Sequence, residues 1–515
     1  MADLVLTGGN LITLDPARPR APAMAVRDDL IVAVGDDHQV LRLAAPAARR
    51  VHLAGKTVTP GFIDAHVHPI DFGTQLMKHA DLTGSASMDE ILSRLSELSR
   101  RVPEGWLLGY GFDQEKVRER RFPSRDDLDR VSRDRPILIW RICGHVAVVN
   151  AATLSLMNAQ ERAAGDEPSG LYAEHAAWAI HQKLPPLSDP EMEQALLMAA
   201  RIALRTGITF MHAIVDDLAH MAAFMRLRRK DLLPIRATVI PPFAAMETLH
   251  RQGMESNAGD EWLRLGALKL FADGSLGAQT ALLSEPYADK PQTCGLRFHQ
   301  PETLKAQCAQ AHANGFQLAI HAIGDQAVRE TIAAIEFALG DEDNSSYRHR
   351  IEHASIITPE CVSRMAQRGV VATLQPQFVT SDTWTPQRIG PNRLARAYPF
   401  RSMIEAGVPV ALGSDCPVEK LDAFACLAAA VGRAEWSPLQ TLSAEQAISA
   451  YCLGGAYAAF AEDHVGSLQP RKLADFVVLS ADPTSLDADG IRNLKAERVF
   501  VGGKEVDQSA LQPGP

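Results

Sequence analysis

Between residues 1 and 57 the apolar positions cluster in short β-rich runs, Asp3-Leu-Val-Leu-Thr7, Leu30-Ile-Val-Ala-Val-Gly35 and Arg50-Val-His-Leu53, broken by Gly, Asp and Pro. The far end of the chain shows the same pattern in Gly466-Ser-Leu468, Asp475-Phe-Val-Val-Leu-Ser480 and Arg498-Val-Phe-Val-Gly-Gly503. Runs of this kind with turn residues between them predict short strands. Neither end has enough strands to bury a core alone. The two are therefore expected to close into one small β-sandwich domain, residues 1–57 plus 466–515. The tail Gln512-Pro-Gly-Pro515 is expected to fray.

From 58 to 465 the rhythm changes to an apolar run followed by a stretch of helical period. Segments beginning at Val58, Gly207, Ile235, Leu263, Phe316, Arg348, Val370 and Val408 each read as a strand. The helix predicted over Gln194–Arg205 stops at Gly207, a usual C-terminal signal. Eight strands alternating with helices predict an α/β protein whose central domain is a (β/α)8 TIM barrel. The first strand ends near His68 and the second starts near Gly207, so residues from about 75 to 200 read as an α/β insertion. Inside it, Ser87-x-x-Glu90 opens an amphipathic helix with Met88, Ile91, Leu92, Leu95 and Leu98 on one face. The charge-dense Glu115–Arg135 reads as solvated surface, and Pro136–Ile142 as a strand.

Composition narrows the function class. At 515 residues, 46% hydrophobic and 22% charged, the chain is globular and long enough for a barrel plus a satellite domain. With 52 basic and 62 acidic residues its net charge is -10, which offers no basic stripe for nucleic acid or an anionic membrane. No stretch approaches the roughly 18–20 apolar residues of a membrane span. Met1-Ala-Asp-Leu-Val-Leu lacks the basic start and apolar core of a secretory signal. The cysteines number seven, scattered and without a C-x-x-C pair, which suits a reducing compartment; the cytoplasm is expected. The oligomeric state is not legible, and a homo-oligomer stays open.

The polar residues at the strand ends carry the chemistry. His66-Val67-His68 closes the first strand, and alternation puts both imidazoles on one face. Neutral imidazole is a favoured zinc ligand. Later strands end in Lys269, His321, His353 and Asp415. In a (β/α)8 barrel the chemistry sits at the C-terminal ends of the strands, where all six of these residues fall. The phrases PGFIDAHVHP, KLFADGSLGA, AIHAIGD, HRIEHA and LGSDCPVE, spread from about residue 57 to 420, resemble the metal-dependent amidohydrolase superfamily. Within it they are similar to the YtcJ-like branch, which includes N-substituted formamide deformylases.

The resemblance implies a divalent-metal site of two ions, zinc first, with Mn, Fe or Co open. His66 and His68 would hold the more buried ion with Asp415, and His321 and His353 the second. Lys269, carboxylated to a carbamate, would bridge them; a lysine salt-bridged to Asp273 is the alternative. The expected reaction on a small-molecule substrate is hydrolysis of a non-peptide carbon–nitrogen bond (amide, N-formyl or cyclic amide) by a metal-activated hydroxide. Asp415 would move the proton. An ester, lactone or phosphoester hydrolase on the same site, and a non-catalytic regulator on this scaffold, stay open. The branch carries a Gly-His that reaches substrate, which makes His145 a substrate-binding candidate. Asp64, Asp325 and Glu352 are candidate acceptors for ligand N–H groups, and His212 is expected to stand behind the ligands or line the site rather than coordinate. Phe72, Trp106, Phe112, Trp140 and Trp384 are candidate pocket aromatics.

Overall fold

The computed structural model describes residues 1–432 and 436–507. The tail from Gln512 lies outside them. Strands from both chain ends form two sheets. One joins Leu30–Gly35, Ala23–Arg27, Ala2–Thr7 and Ala44–His52; the other runs from Lys504–Glu505 through Ala496–Val501, Phe476–Leu479, Thr57–Pro60 and Asn10–Ile12 to Arg20–Ala21. Leu6, Leu11, Val26, Val58, Phe476 and Phe500 meet in one apolar core, so each end completes the other. Thr57–Pro60 belongs to this terminal pair of sheets, and Gly61, whose N–H donates to the Asp475 carbonyl at 2.9 Å, hands the chain to the central domain.

Eight parallel strands position the site: β1 (Phe62–Val67), β2 (Ile208–Ile214), β3 (Arg236–Ile240), β4 (Leu268–Phe271), β5 (Leu318–Ala322), β6 (Arg350–His353), β7 (Val371–Leu374) and β8 (Val410–Leu412). β1, β2 and β3 pair in that order with Leu263–Leu265 at the edge, and β4 to β8 pair in sequence order in a second sheet. Parallel bridges Pro242↔Lys269 and Val67↔Cys416 link the two sheets at both margins. Residues of these strands are buried on both faces, which is why the runs read as nearly unbroken apolar sequence.

Helices follow the strands. Asp189–Arg205 shows how the sequence builds one: the Glu191 carboxylate in its first turn accepts from the Ser188 N–H and hydroxyl, and Met192, Ala195, Leu196, Ala199, Ala200, Ala203 and Leu204 form its buried stripe. It packs on Pro69–Lys78 at Gly73, where a Cβ would lie 2.0 Å from the Ala195 carbonyl oxygen. Only glycine allows that approach. The insertion between β1 and β2 has its own sheet, ordered Leu171–Ala173, Val146–Val149, Ile137–Arg141, Leu107–Phe112, His79–Asp81. The helix Met88–Arg101 covers one face with the expected stripe of Met88, Ile91, Leu92, Leu95 and Leu98. Its Ser87 caps the Glu90 N–H, but the Glu90 carboxylate accepts from the Ala86 N–H instead of closing the box. Among the described residues no helix is long and apolar enough to cross a membrane.

Candidate metal centre

The strand ends bring all six expected ligands into one cluster. His66 lies in β1 and His68 just beyond it, so both rings leave on the same side. Asp415 follows β8, and its Oδ1 is 3.2 Å from His66 Nε2 and 3.5 Å from His68 Nε2. One ligand atom from each of these three residues falls within 4.8 Å of the other two. Lys269, in β4, places Nζ 3.4 Å from His66 Nε2. The His353 ring, at the end of β6, lies 4.9 Å from the His66 ring and 4.5 Å from the His321 ring of β5. His68 is partly exposed and the other five are buried. His353 and Asp415 sit in the left-handed region, at φ 77° and 58°, backbone strain of the kind that gathers at functional sites.

Hydrogen bonds on the far side of three imidazoles fix which nitrogen faces the cluster. His66 Nδ1–H donates to Glu352 Oε2, His353 Nδ1–H donates to Gln375 Oε1 at 2.8 Å, and His321 Nε2–H donates to the Gly274 carbonyl at 3.0 Å. The other nitrogen of each ring is turned towards the cluster, the orientation a metal needs. Burial lowers the His321 and His353 pKa values, the latter to about 3, which keeps both neutral. Burial pulls Lys269 down to about 8 against the attraction of Glu352 and Asp415. No carboxylate among the described residues pairs with it. Burial would raise Asp415, but the neighbouring imidazoles, His66 first, hold it well below the usual range. His66 Nε2 and Asp415 Oδ1, buried and 3.2 Å apart, need positive charge between them, either a shared proton or a cation, and His68 Nε2 brings a third ligand atom to the same place. The donor set therefore fits a divalent ion.

Above the cluster is a cavity of about 70 Å³ with His321, His353 and Asp415 in its lining. Its walls include Arg141 and His145 from the insertion, Gly277 after β4, Phe378 and Trp384 after β7, and Glu419 after β8. The His145 ring lies 5.8 Å from that of His321, and its Nδ1–H donates to Glu174 Oε2 at 2.8 Å. Thr280 donates to the other Glu174 oxygen. Burial would lower the His145 pKa, but the Glu174 carboxylate outweighs it and raises the value to about 9. The stability from this pair is complete below the ordinary histidine value of about 6.5 and fades as pH rises through the folded-state value. Glu174→Gln is expected to return the His145 titration towards the ordinary value, as read from its ring-proton NMR shifts. An unmoved midpoint would mean that Glu174 does not set the charge.

Other sequence candidates lie elsewhere. Asp273 accepts three backbone N–H groups, from Leu282, Ile323 and Gly324, and does not pair with Lys269. Asp64 accepts from the His66 and Ser414 N–H groups and from Tyr451, tying β1 to β8, while Asp325 binds Ser284. Of the candidate acceptors, only Glu352 reaches an imidazole. His212 does not line the cavity; its Nδ1 accepts from Arg350. Trp384 lines the cavity, whereas Phe112 and Trp140 belong to the insertion's cores and Phe72 and Trp106 pack against cores. Glu174 and Gln375 were not singled out by the sequence. Gln375 closes the β7 run, a polar residue at a strand end, and was findable on that ground; Glu174 carries no such signal.

A model of the amidohydrolase family matches residues 50–507. The chain is 31% identical to YtcJ of Bacillus subtilis (strain 168), an amidohydrolase by name, over 97% of this chain and 98% of that protein. It is also 31% identical to LONG AFTER FAR-RED 3 of Arabidopsis thaliana, over 98% of this chain and 92% of the relative. With the N-substituted formamide deformylase of Arthrobacter pascens the identity is 27%, over 98% of each. Among solved structures, an uncharacterized metal-dependent hydrolase from Pyrococcus horikoshii OT3 matches with a TM-score of 0.80 at 27% identity, over 94% of this chain and 99% of that one.

Proposed function

The chain belongs to the amidohydrolase family, and from that premise we propose that it is a metal-dependent hydrolase of a non-peptide carbon–nitrogen bond. The eight parallel strands are read as a closed (β/α)8 barrel and the two terminal sheets as its β-sandwich. His66, His68 and Asp415 would hold one divalent ion and His321 and His353 a second, with Lys269 carboxylated between them. An unpaired, buried amine beside His66 supports that reading of Lys269, because carbamate formation needs a neutral amine. Bound there, the metal would lower the pKa of water and polarise the substrate carbonyl. Zinc is the first choice and Mn, Fe or Co also suit these donors.

The chain's own groups supply the rest. The Asp415 carboxylate, held ionised, accepts a proton from the attacking water and passes it to the departing nitrogen. His145, kept protonated by Glu174, lines the cavity and is placed to donate to a substrate oxygen. An amide, N-formyl or cyclic amide substrate is favoured by the relatives' names. The cysteines, all seven unpaired, suit a reducing compartment, and we place the activity in the cytoplasm.

The observation that carries this proposal is the convergence of ligand atoms from His66, His68 and Asp415 within 4.8 Å of one another, beside a cavity lined by Asp415, His321 and His353. The test is metal analysis joined to an activity screen of N-acyl, N-formyl and cyclic amides, with esters, lactones and phosphoesters as the competing arm. Chelation is expected to abolish turnover and added Zn²⁺ or Mn²⁺ to restore it. Metal at about 100 times its Kd should add about 2.7 kcal/mol of stability over the metal-free protein. Less than about a tenth of an equivalent bound after reconstitution would end the enzyme reading.

A further inference from the structure

We propose that Arg350 is a positioning residue for the metal centre, aiming His66 through Glu352 and keeping His212 out of the ligand set. The inference rests on the metal-centre reading above. Arg350 and Glu352 are two apart in β6, so both side chains leave the strand on the same face. Arg350 is 1% exposed, and a guanidinium so buried is tolerated only when anions and acceptors surround it. Nε–H donates to Glu352 Oε1 at 2.6 Å, an Nη1 hydrogen to His212 Nδ1 at 2.8 Å, and an Nη2 hydrogen to the Ala65 carbonyl at 2.9 Å. One planar fork thus ties β6 to β1 and β2, which are not its neighbours in the strand order.

The bonds decide two tautomers. A guanidinium has only donors, so His212 Nδ1 must be its acceptor and the His212 proton sits on Nε2. His212 has no lone pair left for a metal, although it sits near the end of β2. Glu352 takes the Arg350 hydrogen on Oε1 and is left to accept from His66 Nδ1 on Oε2. That hydrogen bond turns His66 Nε2 towards Asp415 and Lys269, where a metal would meet it. Ala65, bonded by the same guanidinium, is the residue before His66, so both the backbone and the ring of this ligand are fixed from one side chain.

The experiment uses the full chain, freed of metal and titrated with Co²⁺, whose visible spectrum reports ligand geometry. Arg350→Met/Glu352→Gln removes both charges together, so no unpaired ion is left buried. Its Co²⁺ Kd is expected to weaken about 10–100-fold, the usual effect of losing such an outer partner, with an altered spectrum. Arg350→Lys carries the measurement if the double variant does not fold, because one ammonium cannot reproduce the three-way fork; at least about tenfold weakening is expected. A lowered melting temperature with wild-type Kd and spectrum would reduce Arg350 to a structural tie and overturn the proposal. Failure of the unmodified chain to bind Co²⁺ would bring down the metal-centre reading itself.

Discussion

Asp415→Asn is expected to lower turnover by about 10²–10⁴-fold, the usual share of a positioned acid–base group, while the metal content stays at the wild-type level. Asp415 Oδ1 lies between His66 Nε2 and His68 Nε2, and asparagine keeps a carbonyl oxygen that can sit in the same place. What it loses is basicity. The carboxylate is held ionised by the surrounding imidazoles in spite of its burial, so it has an open acceptor site for a proton; an amide oxygen is far less basic still. Metal per chain, measured beside turnover on whichever substrate the screen identifies, separates the two roles. Loss of metal along with activity would make Asp415 chiefly a ligand. Near-normal turnover would remove it from the mechanism.

The clustering of the six candidate residues was legible because a strand end is legible. An apolar run closed by His, Lys or Asp states both the element and the place where its last side chain emerges, and His66, His68, Lys269, His321, His353 and Asp415 all follow that rule. Breaks inside such runs were not legible. The run from Val58 changes sheets at Gly61, and the run from Leu263 changes partners between Leu265 and Leu268, where the Gly266 N–H donates to the Val239 carbonyl. Continuous apolar sequence records burial and not which strand lies alongside.

Cavity walls were hidden for a different reason. Arg141 comes from the insertion, as does Glu174 behind the lining residue His145, while Trp384 and Glu419 come from loops after β7 and β8, and only tertiary packing brings them together. The carboxylates near the ligands show the same limit. Asp64, Asp273 and Glu352 all stand close in sequence to a ligand, yet two of them hold backbone N–H groups and one holds an imidazole. Spacing fixes the face of the strand; it does not say which donor waits on that face.

Asp475→Ala is expected to cost about 3–5 kcal/mol of stability, the usual effect of stripping a buried charge of its partner. Asp475 opens the strand Phe476–Leu479 of the terminal sheets, and both its oxygens engage Arg236 at the start of β3, at 2.6 and 3.1 Å. The Gly502 N–H adds a third bond at 2.7 Å. Arg236 is 1% exposed and also lies over the Trp262 ring, so it has no route to solvent when its anion is removed. This pair ties the chain ends to the central strands, at the edge of β3 opposite the metal centre. Removing both charges tests the explanation. Arg236→Met/Asp475→Leu replaces the ion pair by apolar groups of similar length and should recover most of the loss. Urea midpoints of the two variants against the parent decide it: a double variant as unstable as the single would trace the damage to lost packing or to the orphaned Gly502 N–H, not to an unpaired guanidinium.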